Sequence, residues 1–183
     1  MREVREWVGV GKELWMSWTY LPHASRSSSE PDPEALRSQI RASSDAVGRF
    51  AASAPVLLGT DPARTYLLGF SQGATVSWTL AASEWPREGL LRGVACLSGR
   101  LQPDLAKEGT PLSQSVAAPE VLRGRPTVFS THGSADMVTP FSVGEETVRL
   151  AERLGLPHTF HPHQQGHDVE PVTLQACASC LTR

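Results

Sequence analysis

The feature that most limits what this chain can become is an alternation of short apolar runs with stretches of helical spacing. Thr65-Tyr66-Leu67-Leu68-Gly69, Gly93-Val94-Ala95-Cys96-Leu97 and Thr127-Val128-Phe129-Ser130-Thr131 are strand-length and apolar on both faces, the pattern of strands buried between two layers. Ahead of them, Asp32, Pro33 and Glu34 make a helix start: a capping carboxylate, a proline at the first helical position and an acid near the positive end of the dipole. Leu36, Ile40, Val47 and Phe50 then recur at helical spacing, with the small Ser43 in the gap, and Pro55 is expected to end the helix. A second helix runs from Gln72 to about Glu84, with Val76, Leu80 and Ala81 on one face, and stops near Pro86. Thr147, Leu150, Ala151 and Leu154 mark a third, closed by Gly155. His158 to His163 reads as a last strand, and Glu170 onward as a last helix. Such alternation gives an α/β fold with a doubly wound, mostly parallel sheet, here in a single domain over residues 1–183.

Charge and composition remove several classes of function. Lys and Arg total 17 against 19 Asp and Glu, with no run of like sign, so there is no footprint for nucleic acid or anionic lipid and the expected partner is a small molecule. No stretch approaches the ~20 apolar residues of a membrane span, and Met1 to Tyr20 lacks the apolar block of a secretory signal. A cytoplasmic location is the expectation. The three cysteines, Cys96, Cys177 and Cys180, form no disulfide framework and read as free thiols. Cys177 and Cys180 have the spacing of a redox pair but fall in a helix, and two thiols without neighbouring histidines cannot close a structural zinc site. Gly9-Val10-Gly11-Lys12 is no phosphate loop, because Glu6 and Glu13 occupy the positions of its first glycine and its hydroxyl residue. Residues 1–30 read as an irregular or edge segment, with 21–33 a surface loop. Residues 98–125 are too long for a plain connector and read either as a cleft-shaping loop or as a surface excursion.

Gly69-Phe70-Ser71-Gln72-Gly73 falls at the junction of an apolar strand and a helix. A chain that turns directly from one into the other strains its central residue and requires small residues two before and two after, so Gly69 and Gly73 are expected to let strand and helix approach. Ser71 is then lifted to the helix N-terminus, where the dipole and the Gln72 N–H can stabilise an oxyanion. A serine hydroxyl needs a base to take its proton and an acid to fix that base in one tautomer. Asp136, in His132-Gly133-Ser134-Ala135-Asp136, and His167, in Gln165-Gly166-His167, follow in that order, each just past a strand. All three candidates thus sit at the C-terminal ends of parallel strands, where ligands bind in open α/β sheets.

Rivals for each role are weaker. Asp168 is too close along the chain to turn back onto His167, Glu170 begins the last helix, and His132 is expected to hold the loop presenting Asp136. His161 and His163 share a strand face and, with His167, suggest a metal-dependent hydrolase as the competing chemistry, but alternating histidines in a strand are an ordinary occurrence. No metal or cofactor is expected.

With those residues in view, the chain resembles the phospholipase/carboxylesterase family of α/β hydrolases, which includes bacterial carboxylesterases and acyl-protein thioesterases. The matching pieces are Ser17-Trp18, Gly69 to Gly73, Leu97-Ser98-Gly99, His132 to Pro140 and Gly166-His167. The resemblance implies an α/β-hydrolase fold and a serine hydrolase cleaving esters or thioesters without a cofactor. It also implies further strands and a His-Gly-rich loop ahead of Ser17 that supplies a second oxyanion N–H, and no such loop is evident there. The chain therefore reads as N-terminally short, lacking the first strands, and the alternative to an active enzyme is a weak or inactive remnant. The edge of the strand ending at Gly69 would then be open to a second chain, as in a homodimer, unless residues 1–17 supply a strand.

Overall fold

Six strands hydrogen-bond in the order in which they occur along the chain. They are β1 (Arg5–Val8), β2 (Trp15–Trp18), β3 (Tyr66–Phe70), β4 (Gly93–Leu97), β5 (Thr127–Gly133) and β6 (His158–His163). The computed structural model describes residues 5–8, 15–18, 32–83, 91–106 and 125–181. β1 and β2 are antiparallel, and every later pairing is parallel. Among the described residues, α1 (Pro33–Leu58), α2 (Gln72–Ala82) and α3 (Phe141–Arg153) lie in connections between strands, and α4 (Pro171–Leu181) follows β6.

Side chains of the central strands alternate between two cores, as the pleat requires. Leu67, Val94 and Val128 face one way, into a core shared with Ala51 of α1, Trp78 of α2 and Leu150 of α3. Leu68, Ala95 and Phe129 face the other way, against Cys177 and Leu181 of α4. The sheet is thus wound on both sides, as expected. Within the first core Trp78 is 1% exposed, and truncating such a side chain costs about 3–5 kcal/mol.

Two helices differ from the sequence reading. α1 does not stop at Pro55 but carries it within the helix and runs one turn further to Leu58. Gly59, in the left-handed conformation at φ 66°, closes it by donating its N–H to the Pro55 carbonyl at 3.1 Å. The extra turn is tolerated because Val56, Leu57 and Leu58 are exposed, so no packed neighbour has to follow the perturbation that the proline introduces. α2 is not amphipathic: every residue from Ala74 to Ala82 is buried, because the helix lies against both the sheet and α1.

The N-terminal segment takes the edge alternative. β2 lies parallel to β3, with Trp15 opposite Leu67 and Met16 opposite Leu68, so the strand ending at the pentapeptide has neighbours on both sides. Of the expected surface loop at 21–33 only Asp32 and Pro33, which start α1, are described, and most of the 98–125 segment lies outside the described residues; of the latter, Pro103–Ala106 forms a short 3-10 turn. Among the described residues no helix is long and apolar enough to cross a membrane.

Candidate active site

The turn from β3 into α2 is set by one steric fact. A Cβ on Gly69 would fall on the backbone carbonyl of Gly73 and within 2.5 Å of the Ser77 Oγ. Only glycine at position 69 lets the strand end this close to the helix that follows it. Gly73 is different: a Cβ there meets nothing within 4 Å. The expectation that both glycines clear the approach is corrected accordingly, since Gly73 contributes its backbone to the contact and Gly69 its missing side chain. A third glycine closes the turn from outside, because a Cβ on Gly99 would fall on the Ala74 side chain and lie 2.8 Å from the Ser71 carbonyl, so Gly99 admits the end of β4 against the start of α2.

Between these constraints Ser71 is held at φ 55° and ψ −116°, one of two described non-glycine residues with positive φ. Such strain persists only where surrounding contacts enforce it; here the Ser71 N–H donates to the Leu97 carbonyl at 2.8 Å and the Ser71 carbonyl accepts from Thr75 N–H at 3.1 Å. Gln72 opens α2, and its side chain is exposed. The first N–H groups of a helix have no intrahelical acceptor, and that of Gln72 is among them.

Asp136 is placed by the end of β5. The turn after Gly133 is fastened to the turn after β6: Ser134 N–H donates to the His163 carbonyl at 2.7 Å and Ala135 N–H to the Gln165 carbonyl at 3.1 Å. Gly133 has to be glycine, because a Cβ would fall on the Gln165 carbonyl and 2.5 Å from the Gly166 carbonyl. The Asp136 side chain is 0% exposed. Its Oδ1 accepts from Val138 N–H at 2.8 Å and Thr139 N–H at 2.7 Å, and its Oδ2 meets His167 Nδ1 at 2.7 Å. Burial works to raise the carboxyl's pKa, but the hydrogen bonds from His167, Thr139 and Val138 outweigh it and hold the group below the usual aspartate value. His132 sits beneath this loop at 1% exposure, with Nε2 2.8 Å from the Thr139 carbonyl and 3.5 Å from Asp136 Oδ2. It holds the loop, as the sequence suggested.

His167 completes the arrangement, with its Nε2 2.9 Å from Ser71 Oγ. An ionised carboxylate only accepts, so Nδ1 carries the imidazole hydrogen and the bare Nε2 accepts from the serine hydroxyl. The ring rests on Phe70. The structure therefore brings Ser71, His167 and Asp136 into one hydrogen-bonded chain from three strand ends.

The rivals lie elsewhere. Asp168 is exposed and its Oδ1 accepts from Val169 N–H at 2.7 Å. His161 stacks on Phe129, and among the described residues no three His, Cys, Asp or Glu side chains are grouped to hold a metal ion. Cys177 and Cys180 both lie on α4, and burial pushes the Cys177 thiol up to about 11, which suppresses the thiolate that redox chemistry needs. Sequence reasoning missed Phe70 as the support of the imidazole and the amides of Val138 and Thr139 as ligands of the carboxylate. The second had a signal, since an aspartate followed by two or three turn residues ahead of a helix is a local side-chain cap.

A parallel sheet with its nucleophile candidate at a strand-to-helix turn is the architecture of an α/β hydrolase. The chain belongs to the Phospholipase/Carboxylesterase family, whose pattern matches residues 17–183. It is similar to acyl-protein thioesterase 1 of Emericella nidulans, at 28% identity over 131 residues, which make up 68% of this chain and 49% of that protein. The chain thus spans about half the length of that relative. In fold it is similar to SOBER1 of Arabidopsis thaliana (TM-score 0.61, 20% identity, 85% of this chain and 67% of the other). The carboxylesterase of Mesorhizobium loti is similar to the same degree (TM-score 0.61, 20% identity, 78% of this chain and 61% of the other).

Proposed function

We propose that this chain hydrolyses carboxylic esters or thioesters through an acyl-enzyme on Ser71. The observation that carries the reading is the unbroken line Asp136 Oδ2 to His167 Nδ1 at 2.7 Å and His167 Nε2 to Ser71 Oγ at 2.9 Å. Ser71 Oγ attacks the substrate carbonyl as its proton passes to His167 Nε2, and the buried Asp136 carboxylate stabilises the imidazolium that forms. The Gln72 N–H, at the positive end of α2, faces the developing oxyanion. Collapse expels the alcohol or thiol, protonated by His167, and leaves Ser71 acylated. Water, deprotonated by the same imidazole, then releases the acid and restores the serine. Family membership and the thioesterase relative support a carbonyl substrate of this kind.

A fluorophosphonate probe tests this directly. Wild-type protein is expected to be labelled, and Ser71→Ala to lose both labelling and turnover of p-nitrophenyl esters. Folded wild-type protein that takes up no probe would instead support a non-catalytic remnant, and turnover abolished by chelator but indifferent to Ser71→Ala would support metal-dependent chemistry.

A further inference from the structure

His163 lies outside the hydrogen-bonded line but fastens both of its supports. It is the last residue of β6, in register with Gly133 at the end of β5. Its carbonyl accepts from Ser134 N–H at 2.7 Å, which ties it to the turn carrying Asp136. Its Nδ1 accepts from Gln165 N–H at 3.3 Å, a side chain capping the amide two residues on, in the manner of an Asx turn. Gln165 in turn accepts from Ala135 N–H at 3.1 Å and, with Gly166, abuts the Cα of Gly133. One imidazole bond thus lies within the turn from Gln164 to Gly166 that delivers His167, beside backbone contacts that press the turn against the loop of Asp136.

That imidazole works in one protonation state. With Nδ1 accepting, the neutral ring carries its hydrogen on Nε2, which is sealed from solvent. A second proton has only Nδ1 to go to, where it would meet the Gln165 N–H head on and abolish the bond. We propose that His163 is a positioning residue for the hydrolysis inferred above: its neutral ring holds the turn before His167, and its protonation releases that turn and loosens the contact of His167 with Ser71. This rests on the reading of Ser71 as nucleophile.

The groups facing His163 set where that happens. Burial lowers its basicity first of all; Glu170 ahead of α4 and Asp136 act to raise it, while His161 on the same strand and His132 on β5 act to lower it, and the balance lies below the ordinary histidine value. The release therefore belongs below the ordinary histidine range, not to neutral pH.

The test compares His163→Asn, whose amide oxygen keeps an acceptor where Nδ1 stands but does not titrate, with His163→Leu, which has none. With a p-nitrophenyl ester at about pH 8, kcat/KM of His163→Asn is expected within about twofold of wild type and that of His163→Leu about tenfold lower, the range that one lost hydrogen bond spans. As pH falls below about 6.5 the wild type is expected to fall progressively further than His163→Asn, by up to about tenfold once His163 is protonated, because only the wild type can lose the bond by protonation. A wild-type to His163→Asn ratio that stays flat with pH, or a His163→Leu variant equal to wild type at the higher pH, overturns the proposal. Wild type without turnover or fluorophosphonate labelling would mark failure of the hydrolase reading itself. The Gln165 amide then reads the bond by NMR: it should shift with the titration of His163 in the wild type and stay still in His163→Asn, and an amide unmoved in the wild type overturns the role.

Discussion

The ring of Phe70 lies against the imidazole of His167, with centroids 4.9 Å apart and planes tilted by 42°. The residue before Ser71 thus supports His167 from β3 while Asp136 holds it from the β5 side. Removing the ring leaves the imidazole free to swing away from Ser71. Phe70→Ala is expected to lower kcat/KM by about tenfold and stability by about 1–2 kcal/mol, below a core value because Phe70 is only partly buried. Phe70→Leu should recover most of both. Steady-state kinetics and urea denaturation measure the two effects.

The two glycines of the pentapeptide should not behave alike. At position 69 a methyl group collides with the Gly73 backbone, which cannot retreat without moving α2. Gly69→Ala is therefore expected to cost more than about 3 kcal/mol or to prevent folding. Gly73 has open space where its Cβ would be and no positive φ, and it lies in the first turn of α2. Gly73→Ala should fold and be neutral or more stable by up to about 1 kcal/mol. Equal destabilisation by the two substitutions, read from denaturation midpoints, would contradict this account of the turn.

Asp136→Asn separates the charge of the carboxylate from its shape. The amide oxygen can still accept from Val138 and Thr139, but the NH2 group then faces His167 Nδ1 and favours the tautomer whose Nε2 cannot take the serine proton. Fluorophosphonate labelling and ester turnover are expected to fall on the order of 10³- to 10⁴-fold with the circular dichroism spectrum unchanged. Asp168→Asn, one residue beyond His167 and exposed, should stay within about threefold of wild type.

Acid should destabilise the fold in two windows. His163 titrates below the ordinary histidine value in the folded chain, so the unfolded chain binds its proton first and stability is lost as pH falls through the folded value, somewhere under about 6.5. Asp136 is likewise lowered, so its contribution is present above the unfolded aspartate value of about 3.9 and disappears as pH falls through its folded one. Melting temperatures recorded across the acid range should show the first decline flattened by His163→Asn. A first decline of equal depth in that variant would assign it to another group.

Much of this was legible in the residues because two local periods carry it. The runs at Tyr66, Gly93 and Thr127 read as buried strands since neighbours on both faces are apolar, and Ser71 and Asp136 could be picked out because each follows such a strand, His167 because it follows the last one. What stayed hidden depended on contacts between distant parts of the chain. α2 read as one-sided because nothing local says that α1 lies over it. Pro55 read as a stop because proline rules describe the backbone bond it removes and not whether any neighbour needs the next turn. The roles of Phe70, Gly99 and Gly133 arise from the closing of one strand end upon another, which no short window of sequence contains.

Strand order has a consequence for synthesis. Each parallel strand is laid beside its predecessor, and β6, which leads directly to His167, is the last to join. The Ser71 hydroxyl and the His167 imidazole are 96 residues apart, so a chain leaving the ribosome has carried the first out well before the second. The hydrogen bond between them can form only once that final strand has been made.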